Sequence, residues 1–195
     1  IQSTKCFECD ASQNNDQPNS IESLFKEISH YWDEIDFVVH ALAFSDKEEL
    51  KGKYINCSRE NFRNSLDISA FSFTRTAKAA FPLMSNKGGS LLTLSYIGAE
   101  RTTPNYNVMG VAKAALEASI KYLAMDLGKN NIRVNGISAG PMKTLAGAAI
   151  SGARHVFRHS ENIAPLKFNP ELKEVGGSAL YLLSDLSSGV TGNIH

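Results

Sequence analysis

Short apolar runs alternate along the chain with longer stretches in which apolar residues recur every three or four positions. The short runs predict strands at residues 3–9, 36–44, 90–96 and 132–138, with a last strand that begins near Asn193. The longer stretches predict helices after Pro18 and over residues 59–83, 107–128, 144–159 and 171–184. The run at 36–44 is apolar almost throughout, which is typical of a central strand buried on both faces.

This alternation predicts an α/β protein, with parallel βαβ units and a sheet covered by helices on both faces. Sheets of this kind bind ligands outside the carboxyl ends of their strands. The segments that follow residues 40, 95 and 138 are therefore the expected positions of a functional site. The chain begins at Ile1 without Met, and it ends at His195 just after a strand start, so we expect a piece of a longer fold.

Composition excludes several classes of protein. Its 195 residues are enough for one domain with a substantial core. Twenty Lys and Arg balance twenty Asp and Glu, so the basic excess of a nucleic-acid-binding protein is absent. No apolar run reaches the roughly 18–20 residues that span a bilayer, so we expect no membrane insertion. The odd count of three cysteines favours a reducing, cytoplasmic compartment, or an organelle if a targeting segment has been removed.

The cysteines do not predict a metal site. Cys6 and Cys9 have CxxC spacing, but residues i and i+3 of a strand point to opposite faces, and both lie in the predicted strand 3–9. Cys57 is remote in sequence, and no second CxxC completes a tetrahedral set. We therefore expect no metal.

Tyr106 and Lys113 are the residues that first suggest catalysis. They are seven positions apart, which places them on one face of a helix, about 10 Å apart along its axis. A nearby ammonium favours phenolate, so we expect it to lower the pKa of Tyr106 toward neutrality. Such a phenol donates a proton or hydrogen bond to a carbonyl oxygen that gains negative charge. The bare pair also fits an ordinary surface helix.

The sequence around Tyr106 and Lys113 favours a catalytic pair over an ordinary surface helix. The stretch SYIGAERTTPNYNVMGVAKAALEA, residues 95–118, resembles the divergent short-chain dehydrogenase/reductases, and specifically the bacterial-type enoyl-acyl-carrier-protein reductases. The pattern Tyr-x-x-Met-x-x-x-Lys of these enzymes matches Tyr106, Met109 and Lys113. The resemblance continues through NGISAGPMKTLA, residues 135–146, and extends with lower specificity over most of the chain.

The resemblance implies an activity and the residues that perform it. Hydride passes from NADH, with NADPH as the alternative, to the β-carbon of a trans-2-enoyl thioester in fatty-acid elongation. Tyr106 and Lys113 would be the catalytic pair, with Tyr96 as a second active-site tyrosine. Tyr106 would stabilise the enolate oxygen while Lys113 holds the nicotinamide ribose. Ser45, Tyr96 and Tyr106 would bind the substrate.

Three further segments are implied to bind the cofactor. Asp10 and Ala11 match a dipeptide that borders the adenine. Leu42 matches a position against the cofactor, although Ala43 stands where the family usually has a glycine that lets the backbone approach a ligand. The remaining contacts belong to a loop around the nicotinamide and pyrophosphate: Met142, Lys143, Thr144, Leu145 and Ala146.

The resemblance also implies the architecture. Residues 1–195 would form a single Rossmann-type reductase domain, an α/β fold with a doubly wound parallel sheet, incomplete at the N-terminus and the C-terminus. The family's first strand, glycine-rich turn and second strand would be missing, so we expect such a piece to bind cofactor poorly. A homotetramer is implied, built partly through the helices at 59–83 and 107–128.

The implied substrate is carried by acyl carrier protein, which is acidic. A local positive patch follows the cofactor loop and is the expected docking surface, with an ordinary charged helix as the alternative. Its residues are Arg154, His155, Arg158 and Lys167.

Two other functions stay open. One is a short-chain reductase of ketones or alcohols, which Tyr96 and Met109 disfavour. The other is a non-catalytic relative that binds nucleotide or partner chains as a scaffold. The intact pair of Tyr106 and Lys113 disfavours the scaffold.

Overall fold

The protein is described by a computed structural model over residues 4–142 and 153–195. The helices and strands in these ranges follow one another along the chain. In order they are α1 (Ile21–Ile28), β1 (Phe37–His40), α2 (Arg59–Leu66), α3 (Ser72–Met84), β2 (Gly89–Ser95), α4 (Asn107–Leu127), β3 (Ile132–Ser138), α5 (Ala153–Ile163) and α6 (Leu172–Leu183). The predicted α/β class is confirmed.

The three strands form one parallel sheet in the order β1-β2-β3. Phe37–His40 of β1 pair with Ser90–Thr93 of β2, and the whole of β2 pairs with the whole of β3. The strand predicted near Asn193 is reduced to a parallel bridge from Ile194 to Gly136, with backbone hydrogen bonds on either side. Because the strands run in the same direction, their carboxyl ends meet at one edge of the sheet.

Helices cover both faces of this sheet, as predicted for a doubly wound fold. Leu91 and Leu92 are neighbours on β2 and point to opposite faces. Leu91 packs in the larger core with α1, α3 and α4, while Leu92 packs with Leu182 of α6. Their exposed fractions are 1% and 0%, so β2 is buried on both faces.

β1 is shorter and more exposed than predicted. Only Phe37–His40 of the predicted strand 36–44 are in the sheet. Phe37 is 52% exposed and Val39 is 45% exposed, so the prediction that this strand is buried on both faces is wrong. Within the described sheet β1 pairs on one side only, with β2, and its outer edge therefore lacks a covering neighbour.

The strand predicted at 3–9 is also wrong over its described part, residues 4–9. This segment pairs with none of the three strands of the sheet. It packs instead on Tyr31, whose ring centroid lies 5.7 Å from that of Phe7 and 3.8 Å from Lys5 Nζ. Alternating side chains do not make a strand where no neighbouring strand offers hydrogen bonds.

Because residues 4–9 do not form a strand, Cys6 and Cys9 are not held on opposite faces of one. Cys6 and Cys9 are both exposed thiols on irregular backbone. Within residues 4–142 and 153–195, the side chains form no group of three or more His, Cys, Asp or Glu that could hold a metal ion.

The helical pattern at 59–83 is confirmed, but it is interrupted. A π-helical turn, Asp67–Phe71, joins α2 to α3. Such turns are rare and frequently occur at functional sites. Ser72, which begins α3, donates its hydroxyl to the Ile68 carbonyl at 2.6 Å, within this turn.

His40 connects the end of β1 to this helical region and to β2. Its ring nitrogens lie 2.7 Å from Ser72 Oγ and 2.9 Å from Thr93 Oγ1. Burial, with a smaller contribution from the charge of Lys113, lowers the pKa of His40 to about 4. The ring is therefore neutral near pH 7 and offers one donor and one acceptor, which fixes β1 against its neighbours.

The remaining helices agree with the sequence. α4 and α6 occupy the predicted positions. The helix predicted at 144–159 is described from Ala153 onward, since residues 143–152 lie outside the described residues. Of the helices in the described ranges, none combines the length and apolar character that a bilayer crossing requires.

Candidate active site

A cavity of about 400 Å³ opens at the carboxyl ends of the strands. Its walls come from the segment after β1, the end of β2, the start of α4, the segment after β3, and α5. Six of the residues that the sequence predicts for the site line it together: Leu42, Ser45, Tyr96, Tyr106, Lys113 and Met142.

Two of the predicted site residues that the structure describes are not in this cavity. Asp10 and Ala11 lie in the turn before α1 and do not line it. Ala11 is 8% exposed and belongs to the main core, while the Asp10 carboxylate accepts hydrogen bonds from Ser12 N and Oγ at 2.9 and 2.7 Å. The remaining ones lie outside the described residues: Lys143, Thr144, Leu145 and Ala146.

The backbone on either side of Tyr106 is unusual. Asn105 has φ of 59° and Asn107 has φ of 37°, in the left-handed region that asparagine tolerates better than most residues. The Asn107 amide donates to the Leu50 carbonyl at 3.1 Å and to two neighbouring carbonyls. Leu50 consequently packs in one buried cluster with Tyr106 and Met109.

Gly98 leaves the space that the Tyr106 ring occupies. A Cβ at Gly98 would lie 2.5 Å from Cδ1 of Tyr106, far inside van der Waals contact. Tyr96 packs edge-on against the same ring, with centroids 5.0 Å apart and an interplanar angle of 66°. Tyr106 is thus held by a glycine on one side and by aromatic and aliphatic side chains on the others.

The environment of the two tyrosines keeps both protonated. Burial raises the pKa of Tyr106, and the nearby Tyr96 phenol adds to the effect. Burial also raises the pKa of Tyr96, against a hydrogen bond to Thr103 that lowers it. The expected lowering of the Tyr106 pKa by Lys113 is therefore wrong, because desolvation of the phenolate dominates. Tyr106 is a neutral hydrogen-bond donor over the physiological pH range.

Lys113 is a buried cation, 6% exposed, at the same cavity. Its Nζ donates to the Leu94 carbonyl at 2.6 Å, which uses one of three N–H donors. Desolvation lowers the pKa of Lys113 to about 8, and the charge of Glu117 opposes that shift. Glu117 in turn accepts the hydroxyl of Ser95.

Sequence reasoning missed the residues that hold the segment after β1. Ser69 Oγ accepts from Phe44 N at 2.9 Å and donates to the Phe44 carbonyl at 3.1 Å. Asn61 Oδ1 accepts from Asp46 N at 2.9 Å and from Ser45 Oγ at 3.2 Å. Ser69 and Asn61 are buried in a helical pattern where apolar residues are expected. Buried polar groups need partners, and that signal could have found both.

Sequence reasoning also missed the apolar walls. Val156 and Phe157 of α5 face the cavity with Leu50 and Phe44. The two pairs come from parts of the chain that are more than a hundred residues apart, so no local sequence pattern predicts that they line the same cavity.

Comparison with known proteins identifies relatives over most of the chain. The family model described as "Enoyl-(Acyl carrier protein) reductase" matches residues 1–195. The curated protein "Enoyl-[acyl-carrier-protein] reductase [NADH] 1" of Rhizobium meliloti (strain 1021) is 58% identical over 176 residues. That match covers 90% of this chain and 64% of the relative, so the chain spans less than two thirds of the length of that protein.

Solved structures give the same picture. The enoyl-(acyl-carrier-protein) reductase of Anaplasma phagocytophilum, solved in complex with NAD, is 55% identical with a TM-score of 0.89, covering 95% of this chain and 69% of that one. FabI from Candidatus Liberibacter asiaticus is 50% identical with a TM-score of 0.93, covering 100% of this chain and 73% of that one.

The space at Gly98 can be tested by stability. Gly98→Ala should lower the free energy of unfolding by about 1–3 kcal/mol, because the new methyl group displaces the Tyr106 ring. The matched control is Gly128→Ala at the end of α4, where a Cβ meets nothing within 4 Å. It should leave stability unchanged or raise it by up to about 1 kcal/mol. Urea denaturation measures both, and equal effects would contradict the packing described.

Proposed function

The chain belongs to the enoyl-(acyl carrier protein) reductase family, and we propose on that premise that the protein reduces the trans-2 double bond of enoyl thioesters with NADH. The observation that carries the proposal is the meeting of Tyr96, Tyr106 and Lys113 at one cavity with apolar walls. A buried phenol beside a buried ammonium suits a reaction in which an oxygen gains negative charge.

We assign the nicotinamide end of the cofactor to this cavity because its chemistry fits that group. Apolar side chains such as Leu42 and Met142 suit a flat ring, and the free donors of Lys113 suit ribose hydroxyls. When bound, NADH supplies the hydride. By the family resemblance, residues 143–146 would hold the nicotinamide and pyrophosphate, and Asp10 and Ala11 the adenine. NADPH is the alternative, and initial rates with both reduced cofactors decide between them.

Tyr106 is the proposed proton or hydrogen-bond donor to the thioester oxygen. Its raised pKa keeps the phenol protonated, so it donates to the enolate oxygen rather than competing with it for negative charge. Tyr96 packs on the Tyr106 ring and limits where the substrate can lie. Ser45 is the proposed substrate contact on the opposite wall, where Asn61 fixes its hydroxyl.

Assembly and compartment are proposed from the same premise. Large apolar side chains remain exposed on the helical region 59–84 and on α4, with Phe71 55%, Tyr122 77% and Met125 81% exposed. Their exposure supports a homotetramer in which they are buried between copies. Analytical ultracentrifugation measures the assembly, and a monomer would contradict it. The proposed compartment is the cytoplasm, because three cysteines are an odd number and do not suit a disulfide framework.

Tyr106→Phe is the test of the proposed activity. The variant should lose kcat by about 10²–10⁴-fold with crotonyl thioester and NADH, because it lacks the hydroxyl that stabilises the oxyanion. Tyr181→Phe is the matched control, since that tyrosine lies on α6 and does not line the cavity, and it should retain full activity. The rate of NADH oxidation is measured for the natural protein and for the two variants, and the comparison gives the effect of each substitution.

The same assay separates the other functions. Faster reduction of acetoacetyl thioester than of crotonyl thioester would favour a ketone reductase. Binding of NADH without turnover of either thioester would favour a scaffold.

The charge of Lys113 should appear in the pH profile. Its lowered pKa means that the ammonium loses its charge as the pH rises through about 8. The value of kcat/KM for NADH should therefore decline above that pH, approaching tenfold per unit. The Lys113→Met variant should have a low kcat/KM and lack this decline. Lys121 is an exposed lysine of the same helix, and the Lys121→Met variant should keep the decline. Persistence of the decline in Lys113→Met would assign it to another group.

The acidic carrier should recognise the positive patch. His155, Arg158 and Lys167 are exposed on and after α5, and α5 also lines the cavity. Charge reversal at Arg154 and Arg158 should raise KM for the carrier-bound substrate several-fold and spare a coenzyme A thioester. Lys129→Glu, after the far end of α4, is the control and should affect neither. Equal losses with both substrates would exclude the patch as a docking surface.

A further inference from the structure

Arg75 is a buried arginine that the mechanism does not use. It lies on α3, is 7% exposed, and engages four of its five N–H donors. Two of these bonds, 3.0 and 2.6 Å long, form a bidentate pair with the Glu22 carboxylate. The other two go to backbone carbonyls, to Ala11 O at 2.9 Å and to Gln13 O at 2.7 Å.

These contacts join three separate parts of the chain. Glu22 lies in the first turn of α1, while Ala11 and Gln13 belong to the turn that precedes α1. The turn is closed at its base by the hydrogen bond from Asp10 N to Asn19 O at 2.7 Å. The guanidinium of Arg75 on α3 therefore holds this turn, which has no regular secondary structure of its own.

The outer side of the same turn presents Asp10. Its carboxylate is exposed, and it accepts from Ser12 N, Ser12 Oγ and Gln13 Nε2. Asp10 and Ala11 are the residues to which the proposed function assigns the adenine. Ser12 and Gln13 thus hold the Asp10 carboxylate, while Arg75 holds the Ala11 and Gln13 carbonyls.

We propose that Arg75 is a positioning residue for the adenine end of the cofactor, acting through the turn 10–13 and not by contact with the cofactor. This inference rests on the proposed function. The bidentate pair with Glu22 orients the guanidinium plane, and the remaining two bonds hold the Ala11 and Gln13 carbonyls. A lysine has a single ammonium and cannot supply this planar fork.

The inference predicts an effect confined to one half of the cofactor. In the natural protein, Arg75→Met should raise the Kd for NADH about tenfold, because two charge-assisted hydrogen bonds to the turn are lost. Reduced nicotinamide mononucleotide lacks the adenosine half, so its kcat/KM should change by less than about twofold. At saturating NADH, kcat should also stay within about twofold of the natural value.

A matched control separates positioning from loss of stability. Arg133 also donates to backbone carbonyls, those of Leu182 and Ser184, but at the start of β3, the opposite edge of the sheet from the cavity. Arg133→Met should lower the midpoint of urea unfolding and leave the Kd for NADH unchanged. Glu22→Gln keeps the size of the side chain but removes its charge and one of the two acceptors, and it should give a smaller rise in the Kd than Arg75→Met.

The outcomes are distinct. An unchanged Kd for NADH in folded Arg75→Met, or an equal loss with reduced nicotinamide mononucleotide, overturns the inference. If Arg75→Met does not fold, the same split between the two cofactors is required of Arg75→Lys and Glu22→Gln, and its absence overturns the inference. The Kd values for NADH are measured by calorimetry, which does not depend on turnover. If the natural protein binds NADH but does not reduce enoyl thioesters, only the proposed function is contradicted, because the Kd values still test the role of Arg75.

Discussion

The hydrogen bond between the Lys113 ammonium and the Leu94 carbonyl joins α4 to the central strand at the point where the candidate site converges. It places a buried positive charge at the carboxyl edge of the sheet, and burial of that charge disfavours its protonated form. The same charge disfavours a second one nearby, which contributes to the neutrality of His40. A neutral imidazole, a neutral phenol and a single ammonium are the arrangement that results.

A second constraint runs through the helical region before β2. Five polar residues recur at intervals of three or four positions and are all buried: Asn61, Ser65, Ser69, Ser72 and Arg75. Together they form a polar stripe that contacts the segment after β1, the ring of His40 and the turn before α1. This stripe thus holds the segment after β1 and the turn before α1, while Asn107 of α4 holds the loop at Leu50.

Much of this architecture could be predicted from the sequence. The periodicities placed β2, β3, α4 and α6 correctly, because each of these elements buries a regular set of apolar residues. The predictions failed at the segment 4–9 and at β1, where strand formation and burial depend on which neighbours pair with the segment and not on its own residues. The sequence of a segment alone does not show whether another strand pairs with it.

The candidate site divides in the same way. Tyr106 immediately precedes α4 and Lys113 lies on it, so their spacing was enough to bring them to one cavity. The direction of the Tyr106 pKa was not predictable from spacing, because it depends on Leu50, Tyr96 and Met109 packing around the ring. Asparagine tolerates left-handed backbone, so Asn105 and Asn107 could indicate that conformation. The sequence does not show that the Asn107 side chain binds the loop at Leu50.

The π-helical turn at Asp67–Phe71 has a consequence for the evolution of the chain. A turn of this kind is equivalent to one residue inserted into an α-helix. Deleting one residue there would give a continuous α-helix in which the residues on either side keep nearly their present facing. Ser72 and Arg75 would then still face His40 and Glu22. A one-residue deletion inside α2, by contrast, would rotate everything after it by about 100° about the axis. Changes of length by one residue in this helical region should therefore fall within the π-helical turn.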